Sequence, residues 1–376
     1  MEKEKSKILK FPESFFWGAA TSSHQVEGHN YNDWTEWERA NAKRLAGESK
    51  KYWEKSFEIF PEMGLESNYI SGCACDHYNF FEKDFEMAKE LGHNAHRFSI
   101  EWSRIEPEEG KFDEKEIEHY RQVIWALKKR GMEPFVTLWH WTLPYWVVQK
   151  GGWESKKTIK YFERYVEKII SELGDDIKFW ITLNEPEIYA SNCYFKGVWP
   201  PQKKSLFIYR KIIKNLIKAH IHCYKIIKQN RPSVAIGIAK NNIYFEAYKN
   251  KFLNSILKKF IDWWWNFYFL NKIKNHQDFI GLNYYFHNRI KNGFNKNENK
   301  ETSDLGWEIF PEGIYHVLKQ LKKYNLPIII TENGIADAKD KKREKFIKDH
   351  LYWIHKAIQE GIDIKGYLYW SLLDNF

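Results

Sequence analysis

Eight short runs along the chain are apolar almost without interruption, and most of the stretches between them carry the three-to-four-residue spacing of amphipathic helices. The runs fall at residues 15–22, 94–100, 133–140, 179–185, 234–240, 278–285, 327–333 and 366–373. Segments this short and this uniformly apolar predict strands buried on both faces, bounded by turn-forming residues. Between them, residues 82–92 predict a helix that ends with Gly92, one step past the last apolar position, where a left-handed C-terminal residue is favoured. Residues 114–130 predict another, closed by Gly131. Gly131, Gly174 and Gly361 each precede a strand by a few residues, giving the short helix-to-strand connections of α/β folds. Alternation of this kind predicts a parallel sheet, and eight units predict a closed (β/α)8 TIM barrel. No Pro/Gly/Ser-rich linker, repeat or low-complexity tract interrupts the pattern, so residues 1–376 are expected to form a single domain. Residues 287–306, rich in Asn, Lys and Glu, predict one polar loop after the sixth strand.

Composition narrows the setting. A chain of 376 residues with 43% hydrophobic content can bury a sizeable core. Residues 1–7 (MEKEKSK) are charged and lack the apolar centre of a secretory signal, and no apolar stretch approaches the length of a membrane span. The four cysteines, Cys73, Cys75, Cys193 and Cys223, do not make a disulfide framework in so long a chain, so a cytoplasmic location is expected. Cys73-x-Cys75-x-His77 does not have structural-zinc spacing, and neither a metal nor a cofactor is expected.

The formal charge of +9 is uneven. Residues 203–275 hold 16 Lys/Arg against two acids, Glu246 and Asp262, which is +14 by subtraction and leaves about −5 for the rest. Such a block, with the aromatic stretch at residues 251–274, has the composition of a nucleic-acid footprint or an interfacial helix. Lys-, Asn- and Ile-rich usage pervades the chain, however. It favours a helix whose Trp and Phe face a core while Lys faces solvent, with no nucleic acid and no membrane as partner and the oligomeric state left open.

In a barrel of this kind, polar residues at the C-terminal ends of the strands face the active site. Two ends deliver carboxylates: Glu185 after Phe179-Trp180-Ile181-Thr182-Leu183-Asn184, and Glu332 after Pro327-Ile328-Ile329-Ile330-Thr331. A carboxylate brought to the rim by a buried strand loses hydration and is rarely decorative, and two presented alike suggest paired acid/base and nucleophile chemistry. The other ends supply Gln25, Arg97, His140, Asn184, Asn283, Tyr285 and Trp370. Amides and imidazole bond hydroxyls in both directions and an indole face covers the apolar side of a sugar ring, so the set suits a polyhydroxylated ligand.

Five collinear motifs then carry a resemblance. They are Phe16-Trp17-Gly18-Ala19-Ala20-Thr21-Ser22-Ser23-His24-Gln25-Val26-Glu27-Gly28, Arg97-Phe98-Ser99-Ile100-Glu101-Trp102, Thr182-Leu183-Asn184-Glu185-Pro186, Thr331-Glu332-Asn333-Gly334 and Tyr369-Trp370-Ser371-Leu372-Leu373-Asp374-Asn375-Phe376. Together they resemble glycoside hydrolase family 1, the β-glucosidases, β-galactosidases and relatives. The resemblance implies a retaining reaction on a small β-glycoside, with Glu185 as general acid/base and Glu332 as nucleophile, held ionised by Arg97 and Tyr285. It implies that Asn184 bonds the sugar 2-hydroxyl, that Gln25 and His140 bond the 3- and 4-hydroxyl side, that Trp370 lies beneath the ring, and that Asn283 supports the site. Trp141, Trp199 and Tyr145 are candidates for the leaving-group side. A 6-phospho-β-glycosidase or a non-catalytic sugar binder is the alternative; Trp139-His140-Trp141 leans toward unphosphorylated sugars. The family's pattern continues past Phe376 into Glu-Trp, a loop and a last helix, so the chain is expected to be a partial sequence without that helix. Glu187, directly after Asn184-Glu185-Pro186, and the short basic segment between the fifth and sixth strands depart from the pattern.

Overall fold

The eight apolar runs are the staves of a closed parallel barrel in the computed structural model, which describes residues 8–376. Residues 1–7, where no secretory signal is expected, lie outside the described residues. The strands are β1 (Phe16–Ala20), β2 (Ala95–Ser99), β3 (Glu133–Thr137), β4 (Phe179–Asn184), β5 (Ala235–Asn241), β7 (Ile280–Asn283), β10 (Ile328–Asn333) and β11 (Ile364–Trp370). Their order around the ring is β1-β11-β10-β7-β5-β4-β3-β2, and β1 closes it by pairing with both β2 and β11. The longer helices are α1 (Asp33–Tyr52), α2 (His77–Glu90), α3 (Glu114–Lys129), α4 (Lys157–Leu173), α6 (Leu206–Asn230), α7 (Phe252–Asp262), α8 (Glu312–Leu321) and α9 (Arg343–Gln359). The short α5 (Pro186–Ala190) starts directly after β4. No helix among the described residues is long and apolar enough to cross a membrane.

Local chemistry explains the boundaries. Asn32 caps α1 by accepting from the Trp34 and Thr35 N–H groups, and Asp113 caps α3 through those of Lys115 and Glu116. The apolar stripe of α4, Ile159, Phe162, Val166, Ile169, Ile170 and Leu173, recurs every three or four residues and is entirely buried. Two apolar layers result. Inside the ring, Ala20, Ala95, Phe135, Ile181, Ala239, Phe279, Ile329 and Leu368 fill the barrel, with Phe135 stacked on Phe179 at 4.4 Å between centroids. Outside it, Val136, Trp180, Ile236, Leu282, Ile328 and Ile330 pack under the helices.

Two expectations need correction. Residues 287–306 are not one loop: β8 (His287–Lys291) and β9 (Phe294–Asn295) join β6 (Tyr244–Ala247) in a three-stranded sheet. The polar composition hides it, because the buried His287 sits between Glu308 at 2.6 Å and Glu246 at 3.0 Å, so a polar residue occupies a core position. Nor do the aromatics of α7 and the turn that follows it all face a core. Leu257 and Ile261 of α7 and Trp265 just after it pack against Ile243, Phe245 and Ile290, but Phe252, Leu253, Ile256 and Phe260 of α7 and the following Trp263 are exposed. Apolar residues run most of the way round this helix, and among the described residues only one side is packed.

Close approach of backbone also constrains the rim. A Cβ on Gly334 would lie 1.9 Å from the Trp370 carbonyl oxygen, where β10 leaves the barrel beside β11. Gly334→Ala is expected to destabilise the fold by about 1–3 kcal/mol, read as a lowered denaturant midpoint at unchanged slope.

Candidate active site

Both glutamates lie at the C-terminal mouth of the barrel, and both follow a slip in strand register. Pairing of β4 with β5 shifts between Ile181 and Asn184, and pairing of β10 with β7 shifts between Ile330 and Glu332. Irregularities of this kind break strict alternation and re-aim a strand's last side chains. Glu185 itself has left-handed backbone, φ +43°, between β4 and α5. Its N–H donates to the Ala239 carbonyl of β5 at 2.7 Å, which anchors the turn.

The two carboxylates are buried, 5% exposed at Glu185 and 4% at Glu332, but their partners differ. Glu332 accepts from the Arg97 guanidinium (Nη1 to Oε1, 2.7 Å) and from the Tyr285 hydroxyl (to Oε2, 2.9 Å). Glu185 has no cation within ion-pair distance among the described residues. Its Oε1 accepts from the amides of Asn241 and Asn283, each at 3.0 Å. Burial pushes the Glu185 carboxyl up, the negative charge of Glu332 pushes it further, and it titrates at about 8. Burial also raises Glu332, and there the Arg97 charge and the Arg97 and Tyr285 hydrogen bonds oppose it.

A polar lattice joins the pair. Arg97 also donates to Asn184 (Nη2 to Oδ1, 2.7 Å) and to Thr137 (Nε to Oγ1, 3.0 Å). Asn283 Nδ2 lies 3.3 Å from the same Asn184 oxygen, and Asn283 Oδ1 accepts from Thr331. Asn184 Nδ2 donates to His140 Nε2 at 3.0 Å. That hydrogen bond assigns the imidazole proton to Nδ1, a buried atom with no partner among the described residues. Burial and the nearby Arg97 charge hold His140 well below its usual range, so it is neutral. Trp370 stacks on His140 at 5.8 Å between ring centroids.

Arg97, Asn283 and Tyr285 therefore bond the two glutamates directly, Asn184 joins through Arg97 and Asn283, His140 through Asn184, and Trp370 through its stack on His140. Tyr284 points the other way, its hydroxyl on the Phe310 carbonyl in the outer layer. Gln25 stands apart in its bonding: its Nε2 donates to the Phe376 carbonyl at 2.9 Å and to Asn375 at 3.1 Å, and its Oε1 accepts from Ser22. His77 pairs with Asp84 at 2.6 Å rather than with the neighbouring cysteines. Trp141, whose indole N–H donates to the Asn184 carbonyl at 3.1 Å, meets Trp199 at 4.7 Å, and Trp34 stacks on Trp141. Tyr145 lies against Tyr31. Sequence reasoning missed Asn241 and Trp34. The Lys240-Asn241-Asn242 run at the end of β5 was the available signal for the first; nothing in the sequence marked the second.

A parallel barrel whose C-terminal rim holds two unequal buried glutamates within a polar lattice defines a class of enzyme, the (β/α)8 glycoside hydrolases. Comparison with known proteins gives the family. The pattern described as Glycosyl hydrolase family 1 matches residues 8–271 and 251–376, and the chain belongs to that family. It is 35% identical to β-glucosidase A of Thermotoga maritima over 98% of this chain and 90% of that protein. Among solved structures it resembles a β-glycosidase from Pyrococcus horikoshii (36% identity, TM-score 0.87, 98% of this chain and 86% of that one). It also resembles the Thermotoga maritima β-glucosidase in complex with glucoimidazole (32% identity, TM-score 0.87, 98% and 91%). The chain is thus a β-glucosidase-like hydrolase.

Proposed function

We propose that the protein is a retaining β-glycosidase that removes the non-reducing terminal sugar of small β-glucosides or β-galactosides. The observation that carries this reading is the unequal environment of the two glutamates: among the described residues Glu185 has only amide side-chain donors, and burial and the Glu332 charge push it up to about 8, whereas Glu332 is gripped by a guanidinium and a phenol. A carboxyl that high is protonated at neutral pH and can give its proton to the departing glycosidic oxygen. Both amides donate to Glu185 Oε1, which leaves Oε2 to carry that proton. Glu332, ionised beside Arg97, attacks the anomeric carbon, the glycosidic bond breaks, and a glycosyl ester forms on Glu332. Its negative charge is then gone, so the Glu185 carboxylate is easier to form, and Glu185 takes a proton from water as water cleaves the ester. Retention requires a carboxyl separation of about 5–5.5 Å; the side chains that bridge the pair, Arg97 on Glu332 and Asn184, and Asn283 on Asn184 and Glu185, support such proximity.

In this reading the Asn184 amide, fixed by Arg97 and His140, bonds the 2-hydroxyl. The free His140 Nδ1–H donates to a neighbouring hydroxyl, Gln25 acts beside it, and the Trp370 indole lies under the ring. The tryptophans at 34, 141 and 199 receive the leaving group. A β-glucoside as substrate is supported by what the similar proteins are named for. A cytoplasmic location is inferred from four free cysteines.

Hydrolysis of a chromogenic β-glucoside, with Glu332→Gln as control and the first-formed anomer followed by NMR, tests the proposal. The β-anomer is expected first; the α-anomer, or equal rates in wild type and control, would overturn it. The acid works only while protonated, so kcat/KM is expected to fall as pH rises through about 8. A profile whose high-pH limb lies below pH 6 would contradict this assignment.

A further inference from the structure

Two buried charges beside Glu185 take no part in the reaction just described. Glu187 lies in α5, two residues past Glu185, and Lys240 lies in β5, between Ala239 and Asn241. Their side chains are 4% and 0% exposed, and Lys240 Nζ stands 3.3 Å from Glu187 Oε1. The ammonium also donates to the Asn241 carbonyl at 2.6 Å. Among the described residues Glu187 has no other cation within ion-pair distance. Taking both charges out of water is costly, and an apolar pair of similar volume is often as stable or more so. Their place in the fold suggests what they do.

Each neighbour of Lys240 on β5 holds the acid. The Ala239 carbonyl accepts the Glu185 N–H, and the Asn241 amide donates to the Glu185 carboxyl. The held residue has the left-handed backbone that a non-glycine residue adopts at a cost. Lys240 ties the same strand to the helix that starts one residue later. We propose that Glu187 and Lys240 are positioning residues for Glu185. They form a charge-balanced clamp between β5 and α5 that fixes the left-handed turn and cancels the field either partner alone would impose on the acid's proton. This rests on the retaining reading and adds to it the device that sets the acid.

The other groups facing Glu185 are the Glu332 carboxylate, the Arg97 guanidinium, the Tyr285 hydroxyl and the two amides. On its outer side the clamp meets the Trp265 ring, 6.0 Å from Lys240 Nζ, and Tyr209 of α6, which the Glu187 charge influences. Burial raises Glu187 and lowers Lys240, and the pair opposes both shifts. The Glu185 charge also favours the Lys240 ammonium, so the two feel each other.

The test measures kcat/KM against pH for wild type, Glu187→Gln, Lys240→Met and the double variant. Each is assayed on a dinitrophenyl β-glucoside, whose leaving group needs no proton, and on an alkyl β-glucoside, whose leaving group does. Glu187→Gln leaves a bare cation near Glu185, favours its carboxylate, and is expected to move the alkaline limb to lower pH. Lys240→Met leaves a bare anion and is expected to move it to higher pH. The double variant is expected to return the limb to the wild-type position. In all three the alkyl glucoside is expected to lose at least about tenfold more than the dinitrophenyl glucoside. Equal losses on both substrates, or limbs that do not move in opposite directions, would overturn the clamp. Should the single variants not fold, the neutral double variant decides: a selective loss on the alkyl glucoside supports the clamp, and a uniform loss or none overturns it. Wild type inert on both substrates would instead remove the retaining reading itself.

Discussion

Glu332→Gln is expected to lower kcat/KM for an aryl β-glucoside by on the order of 10⁵-fold, about 7 kcal/mol of transition-state stabilisation. The amide keeps the shape but cannot form the glycosyl ester, and it cannot use Arg97 and Tyr285 as the carboxylate does, at 2.7 and 2.9 Å. Arg97 is left buried with its charge uncompensated, so the variant's fold is to be checked by circular dichroism. Glu332→Gly opens space at the same place, and azide supplied in solution can then attack the anomeric carbon directly. The expected product is the α-glucosyl azide, inverted because the exogenous nucleophile makes a single displacement. Loss of the Glu332 charge also removes a force that raises Glu185, so the residual activity is expected to show its alkaline limb at lower pH than wild type.

Glu185→Ala is expected to cost about 10²–10⁴-fold in kcat/KM on alkyl glucosides, the usual range for a lost general acid, and far less on dinitrophenyl glucosides. With an activated leaving group the glycosyl ester still forms, but water is no longer deprotonated, so kcat falls and the ester accumulates. Azide relieves that second step and gives the β-glucosyl azide. The opposite anomers expected from the Glu332 and Glu185 variants separate the two roles more sharply than rate losses do. The alkaline limb assigned to Glu185 is expected to vanish in Glu185→Ala.

Much of this architecture is legible in the sequence because buried parallel strands write themselves as apolar runs. The Ile328-Ile329-Ile330 stretch announces β10, and the polar residue that ends such a run marks the rim. What escapes depends on events that no run of residues records. The register slips before Asn184 and Glu332 arise from the pairing of neighbouring strands, yet they aim the two side chains. Asn241 escapes because the predicted strand stops at residue 240, one position before the amide that touches Glu185. Trp34 comes from the start of α1, far along the chain from Trp141, and only the fold stacks them. The sheet at β6, β8 and β9 hides behind a buried histidine between two carboxylates. The exposed face of α7 shows the converse failure: an apolar helix surface says that burial is favourable, not that a partner is present.

Lys240 and Glu187 lie between these cases. In sequence each is one charged residue beside an apolar run, indistinguishable from the solvated lysines and glutamates around it. Only the convergence of β5 and α5 behind Glu185 turns them into a pair.

The most direct measurement is covalent trapping. A 2-deoxy-2-fluoro-β-glucoside with an activated leaving group destabilises both transition states but slows release of the enzyme-bound ester enough for it to accumulate. Mass spectrometry of the proteolysed protein is then expected to find one fluoroglucosyl group, on the peptide containing Glu332 and on that residue. A label on Glu185, or turnover with no labelled peptide, would contradict the account.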